Sequence, residues 1–404
     1  MLRELNVRHV IYAAASVLLF WPVLWWGYWP THGWTDVPGY QVGRDFINLW
    51  AGPQFAFSGR LSALFDLAGY PDAVGDLIGH PVPFTTWSYP LYTLPLFWPL
   101  AQLPYLWALA VWTFGLFAVF ATLILSEIKP AQRVLALIML VLAPACLINT
   151  VGGQCGVLTA ILMIGGILLI DTRPMIAGVM LGLLAFKPQM AVVIPFALVA
   201  LGAWRVMLIA AVTVLTMVTL SVALFGLDAW QHYLAINAGY TVAAVRAFND
   251  SFRFMLASVF AAARTFGLGD SVAFGIQLAV AIATIALACW AVRRTRDPCE
   301  RAFVLVTASP LITPYVYNYD LVGVGAMLVW IMFGRLPLRS ESSGVCFLAW
   351  VAPTAMMYLN QLGLGVMPLA LLALFVIGVR AIGQTPLLPL AVAPDRPLTL
   401  PLAS

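Results

Sequence analysis

The sequence predicts an all-α polytopic integral membrane protein. Of 404 residues, 63% are hydrophobic and only 9% charged, where a soluble domain carries roughly 25% charged residues. Apolar runs recur from near the N-terminus almost to the C-terminus. The few Lys and Arg fall in alternate connections between those runs. A soluble fold of this size could not bury so much apolar surface. Composition therefore excludes a soluble enzyme, a disordered chain and a small disulfide scaffold.

The first element follows Arg3 and Arg8 and runs from Val10 to Pro30. It is long enough to cross ~30 Å of hydrocarbon at 1.5 Å per residue. It exceeds a signal-peptide core and no small-x-small cleavage site follows, so it reads as an uncleaved first membrane helix. Further helices are expected near 104–127, 132–149, 155–170, 174–186, 190–203, 206–225, 271–292, 301–312, 320–333, 344–360 and 366–382. The total is about 12, within a range of roughly 10–13, because several runs fall short of the ~17 residues a span needs. The stretches 174–186, 190–203 and 301–312 either tilt, merge with neighbours or stop at a cavity. Residues 1–382 read as one transmembrane domain, and the Pro- and Leu-rich stretch 383–404 as a flexible cytoplasmic tail.

With both termini in the cytoplasm, the inner side receives Arg3, Arg8, Lys129, Arg133, Arg173, Arg205, Arg293, Arg294, Arg296, Arg301, Arg335, Arg339, Arg380 and Arg396. The outer side receives only Arg44, Arg60, Lys187, Arg246, Arg253 and Arg264. This asymmetry follows the positive-inside rule. Two outer segments, about 31–90 and about 226–269, are too long to be turns. Loops of that length carry function or are disordered. Their Trp, Tyr and Phe content argues instead for helices lying in the membrane interface.

Four groups of residues could carry chemistry. In the first outer segment, Arg44-Asp45 precedes Asn48, Trp50 and Arg60. A carboxylate at the membrane boundary is placed to accept a proton from a hydroxyl, and low dielectric raises its pKa toward that task. Asp45 could equally be a helix N-cap or the partner of Arg44 or Arg60. Next, Asn149-Thr150-Val151-Gly152-Gly153-Gln154 offers small residues for close backbone approach and amide donors from Asn149 and Gln154, or simply a tight turn. Then Lys187-Pro188-Gln189 sits between two apolar runs. A lysine there either serves a ligand such as a lipid phosphate or snorkels to the interface. Last, Tyr315, Tyr317, Asn318 and Asp320 follow Ser309-Pro310 and Thr313-Pro314. They suit a sugar site or an aromatic belt.

No bound metal or other cofactor is expected. His9, His32, His80 and His232 show no metal-ligand spacing, and Cys146, Cys155, Cys289, Cys299 and Cys346 form no CxxC pair. Nucleotide-binding glycine loops are absent, and no basic run suggests a nucleic-acid partner.

Several stretches in order resemble glycosyltransferase family 87, the polyprenyl-phosphate-sugar-dependent mannosyltransferase-like proteins of the GT-C fold. They are DFINLWAGPQFAFSGRLSALFD (Asp45–Asp66), YPLYTLPLFWPLAQLP (Tyr89–Pro104), GGQ (Gly152–Gln154), AGVMLGLLAFKPQ (Ala177–Gln189) and SP (Ser309–Pro310). The resemblance spans roughly residues 10–330. It implies an inverting hexosyltransferase of the cell envelope, in the cytoplasmic membrane, whose active site faces the periplasm or outside. The donor would be a mannose-like hexose on a polyprenyl phosphate, and the acceptor a hydroxyl on a glycan or glycolipid. By this resemblance Asp45 matches the carboxylate that commonly serves as general base, and Lys187 matches the family's basic residue near the outer ends of the middle helices and is expected to hold the donor phosphate, together with Arg44 or Arg60. Asn48, Trp50, Asn149, Gln154, Gln189, Tyr315, Tyr317, Asn318 and Asp320 complete the expected substrate site. One departure concerns the segment after Ser309-Pro310, which carries Tyr315, Tyr317 and Tyr319 where relatives often carry a histidine.

The rival readings are a secondary transporter, an O-antigen-type polymerase or ligase, and a lipid flippase. A transporter suits the Pro-interrupted helices, but no matching halves are visible. A polymerase or ligase usually relies on several Arg and His in a large outer loop. Only Arg246, Arg253, Arg264 and His232 occur in the second loop here.

Overall fold

A computed structural model describes residues 6–248, 253–336, 338 and 342–384; the expected flexible tail lies almost wholly outside the described residues. The described residues are 77% helical, and no β-strand occurs among them. The helices are α1 (Val7–Tyr28), α2 (Phe46–Phe57), α3 (Tyr70–Ile78), α4 (Thr93–Ala101), α5 (Tyr105–Ser126), α6 (Pro130–Leu142) and α7 (Pro144–Val151). They continue with α8 (Gly156–Leu168), α9 (Pro174–Phe186), α10 (Pro188–Leu201), α11 (Trp204–Ala247), α12 (Val259–Thr265) and α13 (Asp270–Val292). The last four are α14 (Pro298–Ile312), α15 (Asn318–Met332), α16 (Ser343–Leu359) and α17 (Met367–Gln384).

Five of these helices (α1, α5, α11, α13 and α17) are long and apolar enough to cross a membrane, or six if the bent pair α6–α7 forms one span. The other apolar helices are shorter: α8, α9, α10, α15 and α16 have 10–17 residues. Apolar runs alone had suggested about 12 spans. Length and burial divide those runs into two kinds. A helix enclosed by protein on all sides is as uniformly apolar as one enclosed by lipid. Eleven of the 13 residues of α8 are buried, and α14 and α15 are buried along most of their lengths. The long helices instead present apolar side chains outward, among them Leu18 and Trp26 on α1, Leu208 and Leu215 on α11, and Leu278 and Ile282 on α13.

Helix α1 shows how the outer shell attaches. An Asn6–His9 capping box starts it, with both reciprocal hydrogen bonds at 3.2 Å. Tyr12, Ser16 and Phe20 recur at four-residue spacing and are buried. Ser16 receives the indole N–H of Trp350 at 2.9 Å, which fastens α1 to α16. Helix α11 begins as a membrane-length arm and breaks at Gly226, whose φ of 82° and ψ of 164° leave the helical region. The arm beyond the break is tied down by Asn237, which donates to the carbonyls of Leu64 (2.7 Å) and Trp87 (2.8 Å).

The central helices α8, α14 and α15 run between two polar ends. At one end, Arg335 forks onto Asp297 at 2.8 and 3.0 Å and reaches Glu127 at 3.1 Å. Arg301 pairs with Asp171 at 2.6 Å there. Planar bidentate pairing of this kind fixes geometry as well as charge. At the opposite end of the same three helices lie Gln154, Tyr315 and Asp320.

Helices α9 and α11 approach closely through Gly178 and Gly182. A Cβ at Gly178 would sit 2.6 Å from Ile209, and one at Gly182 would sit 2.6 Å from Thr213 and 2.8 Å from the Ala210 carbonyl. The four-residue spacing is that of a small-xxx-small packing face. Gly182→Val should destabilise the protein by about 1–3 kcal/mol through overpacking. A thermal melt in detergent would register it, whereas Gly275→Val, where nothing crowds the Cβ, should melt near the unaltered protein.

Candidate functional site

A tight turn delivers Asp45 to the site. Gly43 (φ 88°) and Arg44 (φ 34°) both take left-handed backbone. The Arg44 amide donates to Gln41 O and the Phe46 amide to Gly43 O, both at 2.8 Å. The Arg44 side chain pairs with Asp36 at 2.6 Å, donates to the Gly27 carbonyl and lies 3.9 Å from the Tyr28 ring centroid. Gly27 belongs to a π-helical turn, Leu24–Tyr28. Asp45 precedes α2, yet its carboxylate does not cap that helix. Its Oδ2 accepts instead from Gln154 Nε2. Its Oδ1 has no protein partner among the described residues.

The Gly152-Gly153-Gln154 turn makes that contact possible. Gly153 has φ 58°, and a Cβ there would lie 2.1 Å from the Gly43 carbonyl and 2.7 Å from Phe46 Cβ. Only glycine allows the two turns to meet so closely. The indole N–H of Trp112 is shared between Gly153 O (3.2 Å) and Gln154 O (3.3 Å). Trp112 sits in a second π-helical turn, Val111–Gly115. Single π-turns recur at functional sites because they re-aim a side chain without ending the helix.

Lys187 stands at the break between α9 and α10. It is 7% exposed, and Nζ forms an ion pair with Oδ1 of Asp320, itself 5% exposed. Nζ also lies 3.6 Å from Cys155 Sγ and 5.0 Å from the Tyr319 ring centroid. The second Asp320 oxygen accepts from the Tyr317 amide at 3.0 Å. A snorkelling lysine would reach outward; this one points inward to a carboxylate.

These groups border one cavity of about 570 Å³. Of the residues singled out from sequence, Arg44, Asp45, Asn48 and Gln154 line it, as do Lys187, Gln189, Tyr315 and Tyr317. Asn48 is held at the wall by Thr85 (3.2 Å) and by the hydroxyl of Tyr70 (3.0 Å). Tyr317 stacks on Tyr319 with centroids 5.2 Å apart, and Tyr315 meets Tyr317 edge-on at 5.3 Å. Asp320 stands behind Lys187 rather than at the cavity surface.

Four other sequence candidates lie off the cavity. Arg60 is exposed over the Phe55 ring, 4.9 Å from its centroid. Trp50 is buried and donates to Leu103 O at 2.9 Å. Asn149 receives the Val157 amide at 3.3 Å in the first turn of α8. Asn318 is fully buried and donates to Pro353 O at 2.8 Å. Each of these side chains serves a turn, a neighbouring helix or a surface stack. Sequence reading missed Asp36, Tyr28, Tyr89 and Cys155 as neighbours of the site. The off-pattern position of Arg44 could have prompted a search for Asp36, its carboxylate partner.

Burial holds the Asp45 carboxyl above the usual carboxylate range, opposed by the Gln154 hydrogen bond and by the Arg44 and Lys187 charges. The hydrogen bond and the two positive charges favour the ionised form and so offset part of the effect of burial.

The profile of glycosyltransferase family 87 matches residues 87–314, more than half of the chain. The chain belongs to glycosyltransferase family 87. No curated protein and no solved structure matches it. The matched segment contains Gln154 and Lys187 and begins at Trp87. Asp45 lies ahead of it, and the Tyr315–Asp320 stretch lies just beyond. The contact from Gln154 therefore joins the family segment to the carboxylate outside it.

Gly153→Ala should separate Gln154 from Asp45. The left-handed backbone alone costs about 1–2 kcal/mol for a residue with a Cβ, and the 2.1 Å approach to Gly43 O adds to it. Sugar transfer should fall by far more than the melting temperature would suggest. Equal activity in the Ala variant would show that the two turns need not meet.

Proposed function

We propose that this glycosyltransferase moves a mannose-like hexose from a polyprenyl-phosphate carrier to a hydroxyl of a glycan or glycolipid. The observation that carries the reading is Asp45, held by Gln154 with Oδ1 free at a cavity wall shared with Lys187. The acceptor hydroxyl gives its proton to Asp45 Oδ1 as its oxygen attacks the anomeric carbon. The bond from that carbon to the phosphate oxygen breaks, and the polyprenyl phosphate leaves with the electron pair. One displacement inverts the anomeric centre. Lys187 and Arg44 supply fixed positive charge at the leaving phosphate, in surroundings where such charge is most effective. The tyrosine wall offers flat faces and hydroxyls to the sugar. Arg60, outside the cavity, has no part in this reading.

A GT-C arrangement suits it, with the shorter apolar helices added to the long ones to approach a dozen membrane-embedded segments in a single domain over 1–382. The Arg335–Asp297–Glu127 end would face the cytoplasm, with both termini, and the cavity end the periplasm or outside. The positive-inside asymmetry of the sequence supports that orientation. The two long outer segments, about 31–90 and 226–269, would then roof the cavity.

Purified protein should release polyprenyl phosphate from a polyprenyl-phosphate hexose when an acceptor is present. Asp45→Asn should lower turnover about 10²–10⁴-fold, the usual contribution of a positioned base, while remaining folded in detergent. Solute accumulation in vesicles without donor consumption would refute the reading in favour of a transporter. An Asp45→Asn variant with full turnover would remove the base assignment.

The pH profile gives an independent check. With its pKa raised, Asp45 loses its basic form on acidification before a free aspartate near ~4 would. The acidic limb of kcat/KM should therefore lie above that value. Gln154→Ala removes a hydrogen bond to the charged form, so the limb should move to higher pH. A limb unmoved by Gln154→Ala would show that another group sets it.

A further inference from the structure

The inner cations of the cavity are already matched by carboxylates. Lys187 is paired with Asp320, and Arg44 with Asp36. Two further arginines, Arg246 and Arg253, line the same cavity from the segment beyond the Gly226 break. Both are exposed, and neither forms an ion pair among the described residues. Asp250 lies between them in sequence, outside the described residues.

Neither arginine belongs to a loosely attached strand of chain. The Arg246 guanidinium lies 5.6 Å from the ring centroid of Phe274, which also faces the cavity. Arg253 opens a short turn closed by the Leu256 amide at 3.1 Å. That turn is pinned twice. Ala257 donates to Val316 O at 2.9 Å beside a Leu256–Tyr317 bridge, and Asn360 donates to Phe254 O (3.0 Å) and Leu256 O (3.2 Å). Arg253 is thereby placed next to the tyrosine wall. Two arginines at a cavity rim, without carboxylate partners among the described residues, present forked donors that match a phosphate.

The geometry points to a second anion subsite at the rim, in which Arg246 and Arg253 hold a phosphate group of a lipid substrate. The inference rests on the reading above, in which the donor phosphate reacts beside Lys187. One anion at the inner cations leaves the rim pair for another phosphate, carried by the acceptor lipid. The same pair could alternatively receive the donor phosphate as it enters. The chemistry is shared, and the source is decided by experiment.

The test is a binding titration on the full-length protein in a neutral detergent, read by tryptophan fluorescence. The probes are polyprenyl monophosphate, phosphatidylglycerol and uncharged polyprenol. The variant is R246Q/R253Q, whose exposed positions leave the packed core untouched; a thermal melt confirms the fold. Affinity for at least one phosphate probe should fall tenfold or more, with polyprenol unchanged. Loss confined to phosphatidylglycerol assigns the subsite to a phosphodiester of the acceptor kind, and loss confined to polyprenyl monophosphate assigns it to donor entry. Equal affinity of both proteins for both phosphate probes overturns the subsite. Binding is read without turnover, so a protein that fails to transfer sugar still tests the rim arginines, and the two readings fail separately.

Discussion

The ion pair between Lys187 and Asp320 sets the geometry of the cavity end. It joins the α9–α10 break to the first turn of α15, with Cys155 at the head of α8 beside it. Taking two charges out of water costs several kcal/mol per ion, and mutual attraction offsets this only with good geometry and further hydrogen bonds. Asp320 meets that demand by accepting from the Tyr317 amide as well. An apolar pair of the same volume would often pack at least as stably. A buried charge pair in a chain with so few charges is thus better understood as part of a site than as a source of stability.

The rest of the cavity end is built outward from that pair by backbone contacts that admit no side chain. Gly156 brings α8 against the Tyr319 carbonyl, where a Cβ would sit only 2.1 Å away, and Gly153 makes the matching approach to Gly43. Three π-helical turns occur among the described residues: Leu24–Tyr28, Val111–Gly115 and Tyr233–Ala238. The first provides the carbonyl that holds Arg44, the second aims Trp112 at the glycine turn, and the third brings Tyr233 to the cavity. Each departs from ideal helix geometry where the chain meets the cavity. Such departures persist when the surrounding packing over-determines them.

Parts of this site were legible in the sequence. Lys187 stood out because a cation between two apolar runs is costly and broke the positive-inside pattern. Asp45 stood out among few carboxylates near a membrane boundary. Their partners were not legible. Asp320 is 133 positions from Lys187, and Gln154 is 109 from Asp45. No local periodicity links residues so far apart. Trp50, Asn149 and Asn318 carried the same polar or aromatic signal as true cavity residues, and only packing separates the two groups. The sequence could not sort long lipid-length helices from short enclosed ones for a related reason, since burial in protein and burial in lipid select the same apolar residues.

The sequence by itself determined that the chain is helical and belongs in a membrane. These properties follow from composition and from the cost of placing charge in hydrocarbon, which each segment satisfies locally. Only the tertiary structure decided which helices present apolar faces outward and which form the enclosed centre. It also decided which carboxylate answers which cation, and that Asp45 turns from its own helix to Gln154. Those choices depend on contacts between distant segments at a few ångströms, where a single Cβ at Gly153 would change the answer.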